Sequence, residues 1–165
     1  MAKEHSMDIS VQFNLQELIN SVDQTKKEAL NRYDLKDAGI EIERGDDFIK
    51  VTAQGEMQIE AVYGILIKKM VGRGVSPKIL DRQKIEEIGG MRVRQEMKLI
   101  KALDQDNAKK ISSSVKAAFP KAKPIIQGEV VRVVSGSIDE LQAIISMLRG
   151  EESGVKVPLE FGNYR

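Results

Sequence analysis

Cysteine and tryptophan are absent from the 165 residues, and histidine occurs once. Without cysteine there is no disulfide, no thiolate metal site and no thiol nucleophile, a composition that suits a reducing cytoplasm. The one histidine, His5, lies in a polar N-terminal stretch, so a histidine-based dyad is not expected and a His-rich metal site cannot be built. Aromatic residues make up only 4% of the chain, so the core has to be packed from Ile, Val, Leu and Met. No apolar run approaches the roughly 18 residues that a bilayer span needs. Met1 to Ser10, with Lys3, Glu4, His5 and Asp8, lacks the apolar centre of a secretory signal. There is no G-x-x-x-x-G-K-S/T loop and no G-x-G-x-x-G following a strand pattern. The carboxylate pairs Asp46-Asp47, Glu86-Glu87 and Glu151-Glu152 fall in a turn or beside loops, where solvation is expected over acid–base work. These absences predict a protein that is not an enzyme and that needs no cofactor and no metal.

What is present is a hydrophobic fraction of 41% and a charged fraction of 31%, enough for a core and an ordinary surface, with a net charge of +1. The charge is unevenly spread. Met1 to Asp47 has 6 Lys and Arg against 11 Asp and Glu, whereas Ile88 to Arg132 has 10 against 4. A local basic surface fits this asymmetry, as does a set of charges that only solvates helix faces and strand edges.

The chain is organised around a repeat. Ile125-Ile126, Gln127-Gly128-Glu129 and Val130 to Val134 read as a hairpin. Ser137 then stands three residues before Glu140, the capping-box spacing, and Leu141, Ile144, Ile145 and Leu148 share one helical face that Gly150 can end. Earlier, Ile40 to Glu43, Arg44-Gly45-Asp46, Phe48 to Val51, and then Ile59, Val62, Tyr63, Leu66, Ile67 and Met70 spell the same strand, turn, strand, helix. Each copy follows a strand and a longer helix, so one β-α-β-β-α unit used twice is expected.

Around the repeat, Met7 to Phe13 alternates as a half-buried strand. Asn14 and Glu17 open a helix whose stripe, Leu15, Leu18, Ile19, Val22, Ala29, Leu30 and Tyr33, predicts an end near Tyr33. Gly72-Arg73-Gly74 admits a phosphate nest or a helix C-cap, and the cap is favoured because the loop follows a helix. Lys78 to Ile88 reads as a short edge strand. In Met91 to Leu99, Met91, Val93, Gln95, Met97 and Leu99 share one face, and Arg92, Arg94, Glu96 and Lys98 the other. Asp104 caps a third helix with Ala108, Ile111, Val115, Ala118 and Phe119 inward. Val155 to Phe161 reads as a last strand, at a sheet edge because of Pro158.

Met7-Asp8-Ile9-Ser10, Asn31-Arg32-Tyr33-Asp34, Gly72-Arg73-Gly74, Ile126 to Val133, Asp139-Glu140-Leu141-Gln142 and Phe161-Gly162-Asn163-Tyr164-Arg165 occur in an order and spacing that resembles the YajQ family across essentially Met7 to Arg165. The resemblance implies an α+β fold of two ferredoxin-like domains, a duplication with exchanged N-terminal strands. One domain would span 14–101 including strand 90–99. The second would join 1–13 to 102–165. It also implies nucleotide or RNA binding, with some members linked to cyclic di-GMP and to regulatory protein partners, and it names no catalytic residues. Ser135-Gly136-Ser137-Ile138 departs from the family, which commonly has a basic Gly-Lys-x-Arg stretch there, and this weakens any ligand assignment to those positions.

Three readings follow. The first is a cytoplasmic, non-catalytic binder of a nucleotide such as cyclic di-GMP or GTP, or of RNA, with no membrane partner. The second is a regulatory adaptor for a protein partner with incidental nucleotide binding, and the third, a small-molecule enzyme, has little support. For the first, polar strand positions on the sheet face away from the helices place Lys50, Arg92, Arg94, Lys98 and Arg132 as phosphate contacts, with Arg73 as a secondary candidate. Because those positions hold Lys and Arg instead of aromatics, little base readout is expected. The competing assignment for the same cations is cross-strand pairing with Glu41, Glu43 and Glu96.

Overall fold

The computed structural model describes residues 3–150, 155 and 157–165. Among the described residues it is an α+β structure with four α-helices and two antiparallel sheets, compatible with ferredoxin-like domains. The chain divides into two compact units, one made of 1–12 and 101–165 and the other of 13–100.

In the second unit, α1 (Leu15–Asn31), β2 (Glu41–Arg44), β3 (Phe48–Ala53) and α2 (Glu56–Gly72) come first. The short β4 (Leu80–Arg82) and β5 (Glu86–Ile88) and the long β6 (Arg92–Leu99) follow. The sheet runs β2-β3-β6-β4, with β5 also on β6. Its helix-side face is set by period-2 alternation: Ile49 lies opposite Met97, Val51 opposite Gln95 and Ala53 opposite Val93. The apolar ones among them join Leu18, Val22, Ile59, Val62, Leu66 and Met70 in one core. Each fully buried aliphatic side chain contributes roughly 1.5–3 kcal/mol. Buried Gln95 is satisfied on that face, its amide donating to the Gln83 carbonyl at 2.8 Å and its oxygen accepting from Arg82 Nε at 3.1 Å. Arg82 also pairs with Glu60 and lies 3.8 Å from the centre of the Tyr63 ring.

The other unit contains β1 (His5–Ser10), α3 (Gln105–Ala118), β7 (Lys123–Gln127), β8 (Val130–Ser135), α4 (Ile138–Arg149) and β9 (Glu160–Gly162). Its order, β7-β8-β1-β9, parallels that of the other sheet: a hairpin at one side, then a strand from elsewhere in the chain, then a short edge. Met7, Ile9, Val131 and Val133 point to the helix side and are fully buried.

Several local expectations are corrected. α1 stops at Asn31 because Arg32 turns to extended backbone and the next residues fold into tight turns around buried Leu35. Leu30 and Tyr33 therefore leave the buried stripe and are 63% and 88% exposed. Met91 is not on the inner face of β6; it occupies the Gly89-Gly90-Met91 turn at φ 59°, almost fully exposed. Lys78 to Ile88 is not one strand but a 3-10 turn (Pro77–Ile79) followed by β4 and β5, so Glu86-Glu87 lies in a strand. The N-terminal strand is His5–Ser10. Of the expected last strand, Val155 to Phe161, residue 156 lies outside the described residues, as does the stretch 151–154 before it, and the strand observed is Glu160–Gly162, at the edge beside β1. Ala118 is exposed, as are Ile125 and Ile126 of edge strand β7.

Helix capping follows the sequence on one side of each box only. Asn14, Asp104 and Ser137 each accept the N–H three residues on. Among the described residues no return bond to a cap N–H is found. Glu17 accepts from Asn20 and Arg73, and Glu140 accepts from Ser135 Oγ at 2.8 Å while Ser135 Oγ itself takes the Ser137 N–H.

Candidate functional site

On the sheet of residues 13–100, the face turned away from the helices is read row by row from the strand registers. Glu41, Thr52, Arg94 and Glu86 form one row across β2, β3, β6 and β5. Glu43, Lys50 and Glu96 form the next, and Phe48, Lys98 and Asp81 the third. The structure thus brings Lys50, Arg94 and Lys98 onto one surface, with Arg92 at its end. Lys50 is diagonal to both Arg94 and Lys98, a separation of roughly 7–8 Å between backbones. That surface is not uniformly basic. Each of these three rows holds at least one carboxylate beside its cation.

The cations differ in what they hold. Arg92 pairs with Glu41 at 3.6 Å and donates to the Gly39 carbonyl, so it is spent on fastening the entry to β2. Arg94 donates to the neutral Thr52 hydroxyl at 3.3 Å. Lys50 has its ammonium 4.6 Å from the centre of the Phe48 ring. Lys50, Arg94 and Lys98 take part in no ion pair among the described residues.

Arg132 is not part of this surface; it lies in the other sheet, where it has a dedicated partner. Its guanidinium donates to both oxygens of Asp8, directly opposite in β1, at 2.9 and 3.3 Å. Asn163 adds a third bond to the same carboxylate at 2.7 Å. The Arg132 hydrogen bond holds the Asp8 carboxyl below its ordinary range; burial opposes the shift, and Asn163 and the charges of Arg132 and Arg165 reinforce it. Asp8 in turn raises Arg132.

Arg73 is separate again. The Gly74 N–H bonds to the Val71 carbonyl and the Val75 N–H to the Met70 carbonyl, with Gly74 at φ 76° and Val75 and Met70 both buried. That is a Schellman cap. A helix C-terminus presents carbonyls, so its field disfavours an anion. The Arg73 side chain bonds Glu17 at 3.3 Å and Gln24 at 3.4 Å, and with Lys68, Lys69 and Gly72 these residues line a cleft of about 480 Å³. Lys69 is held by Glu28 at 3.2 Å.

One residue of the face escaped the sequence reading. Phe48 is an aromatic on the same face as Lys50 and directly opposite Lys98. The signal was available, because alternation with Ile49 and Val51 already puts Phe48 beside Lys50. Its ring lies over Gly45, where an added Cβ would come within 2.3 Å of it. The partners Asp8 and Asn163 were also missed, since they are far from Arg132 in sequence.

No group of three or more metal-ligating His, Asp or Glu side chains occurs among the described residues, and no described helix is long and apolar enough to cross a membrane. Two antiparallel sheets, one of them with charged rows on the face turned away from the helices, define an α+β scaffold with an open charged sheet face. The chain belongs to the family described as nucleotide-binding protein YajQ-like, whose model matches residues 5–165. It is similar over its full length, and theirs, to proteins named nucleotide-binding protein from Trichodesmium erythraeum (44% identical), Synechococcus sp. strain CC9605 (43%) and Chloroflexus aggregans (44%).

Proposed function

We propose that this protein binds a nucleotide or RNA phosphate without turning it over. The names of its relatives support the ligand class. The observation that carries the position is the set of Lys50, Arg94 and Lys98, gathered on one sheet face and taking part in no ion pair among the described residues. A diester or terminal phosphate accepts charge-assisted bonds from such a set at little cost, because no existing carboxylate bond has to break. Arg92, Arg132 and Arg73 are secondary candidates, the last two away from this face, since each must first release Glu41, Asp8 or Glu17. Cyclic di-GMP, GTP and short RNA all have the required phosphate, and the cysteine-free composition suits a cytoplasmic setting.

The second reading, a regulatory adaptor, is favoured by the carboxylates of the same rows, which suit a mixed-charge protein surface better than a polyanion. Calorimetric titration with cyclic di-GMP, GTP and a short RNA at two salt concentrations separates the two. Phosphate binding predicts affinity that falls as salt rises. The double variant Arg94→Glu, Lys98→Glu should lose at least about tenfold in affinity with an unchanged melting temperature. Unchanged affinity with a lower melting temperature would leave these residues as cross-strand pairs and sink the phosphate assignment. Sustained hydrolysis of GTP, ATP or cyclic di-GMP that a point variant abolishes would overturn the absence of turnover.

A further inference from the structure

β2 is the outermost strand of its sheet, bonded to β3 on one side. The phase of that pairing shows which backbone groups are left over. Gly45 donates its N–H to the Phe48 carbonyl at 2.9 Å, closing the hairpin on a hydrogen-bonded pair. Antiparallel pairs alternate, so Glu43 with Lys50 and Glu41 with Thr52 are bonded pairs, whereas Ile42 and Arg44 turn their N–H and C=O to the far side. Neither has a backbone partner there among the described residues.

Other edges are visibly blunted. β7 opens with Lys123-Pro124, and β4, β5 and β9 have three residues each. β2 contains neither proline nor lysine. Alongside it runs a groove of about 250 Å³ walled by Ala29 and Leu30 of α1 and by Ile40 and Ile42, with Lys26 and Glu41 at its rim. Leu30 is among the most exposed large apolar residues.

We propose that this groove is a docking site for an extended peptide segment of a partner protein, which adds to β2 as a further strand. Main-chain bonds to Ile42 and Arg44 would hold it. Its alternate side chains would enter the groove as apolar residues, and the others would pass over Glu41 and Glu43 as Lys or Arg. Backbone chemistry and charge select this occupant. The outward N–H and C=O groups suit a peptide backbone, which a nucleic acid lacks, and although Glu41 is held by Arg92, Glu43 and Asp46 stand against Arg44 on β2 and its turn. A second copy of the chain fits poorly. In a two-fold antiparallel pairing the outward residues must meet. Ile42 against Ile42 sets Glu41 opposite Glu43, and Ile42 against Arg44 sets Glu43 opposite itself. Like charges directly opposite are destabilising. The remaining register, Arg44 against Arg44, overlaps mainly the turns.

The test is an NMR titration of the full chain with a short alternating Lys-Val peptide, beside a Glu-Val counterpart and a version N-methylated on alternate amides. The expected result is selective shifts and slowed exchange at the Ile42 and Arg44 amides with the Lys-Val peptide. Affinity should be at least about tenfold weaker for both control peptides and for Ile42→Pro, which removes an outward N–H and leaves the β3 ladder intact. Leu30→Lys, an exposed position that leaves the core untouched, should weaken binding by a similar factor and serves if the proline variant does not fold. No change at Ile42 and Arg44, equal affinity of Leu30→Lys, or the same amides responding to RNA or to self-association in place of the peptide overturns the proposal.

Discussion

Arg132 and Asp8 illustrate how a site-like residue can be structural. A carboxylate whose folded pKa is depressed adds stability that is fully present above its unfolded value, about 3.9. That stability is lost as the pH falls through the lower folded value. Asp8 is in this case, because the Arg132 hydrogen bond outweighs its burial. The melting temperature of Asp8→Asn should therefore lie below that of the parent at neutral pH, and the gap should close as the pH drops below about 4. Melting curves across pH 2–7 check this, and parallel curves would show that the pair contributes nothing. Phe48 and Gly45 give a second residue-scale expectation. Gly45→Ala puts a methyl into the Phe48 ring and should cost about 1–3 kcal/mol by overpacking. In a Phe48→Leu background the same substitution should cost clearly less, and a double-mutant cycle by denaturant unfolding measures the coupling. Full additivity would mean that the ring swings away freely.

At the scale of elements, the loop after α2 separates two roles that one motif could have served. Gly74 is the residue at C′ of the Schellman cap and has φ 76°, which an L side chain adopts at a cost of roughly 1–2 kcal/mol. Gly74→Ala should lower the melting temperature by about 2–4 °C per kcal/mol in a chain of this size. Arg73→Ala should leave the cap in place, since the cap is made by backbone groups. Scanning calorimetry on the two variants, with a nucleotide titration on each, tests the division. A large affinity loss in Arg73→Ala alone would return the loop to the ligand site despite its helix C-terminal field.

For the whole molecule, β1 and β6 occupy corresponding central positions in their sheets, each lying next to the second strand of a hairpin. We propose that this reflects a duplication in which each ferredoxin-like half is completed by a strand of the other. The dependence is testable by fragments. Residues 14–80 lack β6, the strand that bonds to β3, β4 and β5, and leave a long sheet edge and an uncovered helix face. That fragment should be molten or insoluble, whereas 13–100 should give dispersed amide resonances. Fragment 101–165 should acquire such a spectrum only when a 3–12 peptide is added. Cooperative unfolding of 14–80 alone would refute the exchange.

The sequence by itself determined the elements with strong local causes. Periodicity placed α2, α3 and α4, the turns at Gly45-Asp46 and Gly128 followed from residue type, and the N-caps Asn14, Asp104 and Ser137 were legible because a cap is satisfied within three residues. The alternation of β6 fixed which of its side chains share a face, and so gathered Arg92, Arg94 and Lys98 in advance. Only the tertiary structure decided what each cation holds. Glu41 reaches Arg92 and Asp8 reaches Arg132 across 51 and 124 positions, and no local pattern encodes a partner at that separation. It also decided where a stripe ends, exposing Leu30 and Tyr33 because Leu35, not they, was taken into the core. Burial and pairing are set by what arrives opposite a residue, and the chain order does not record arrivals.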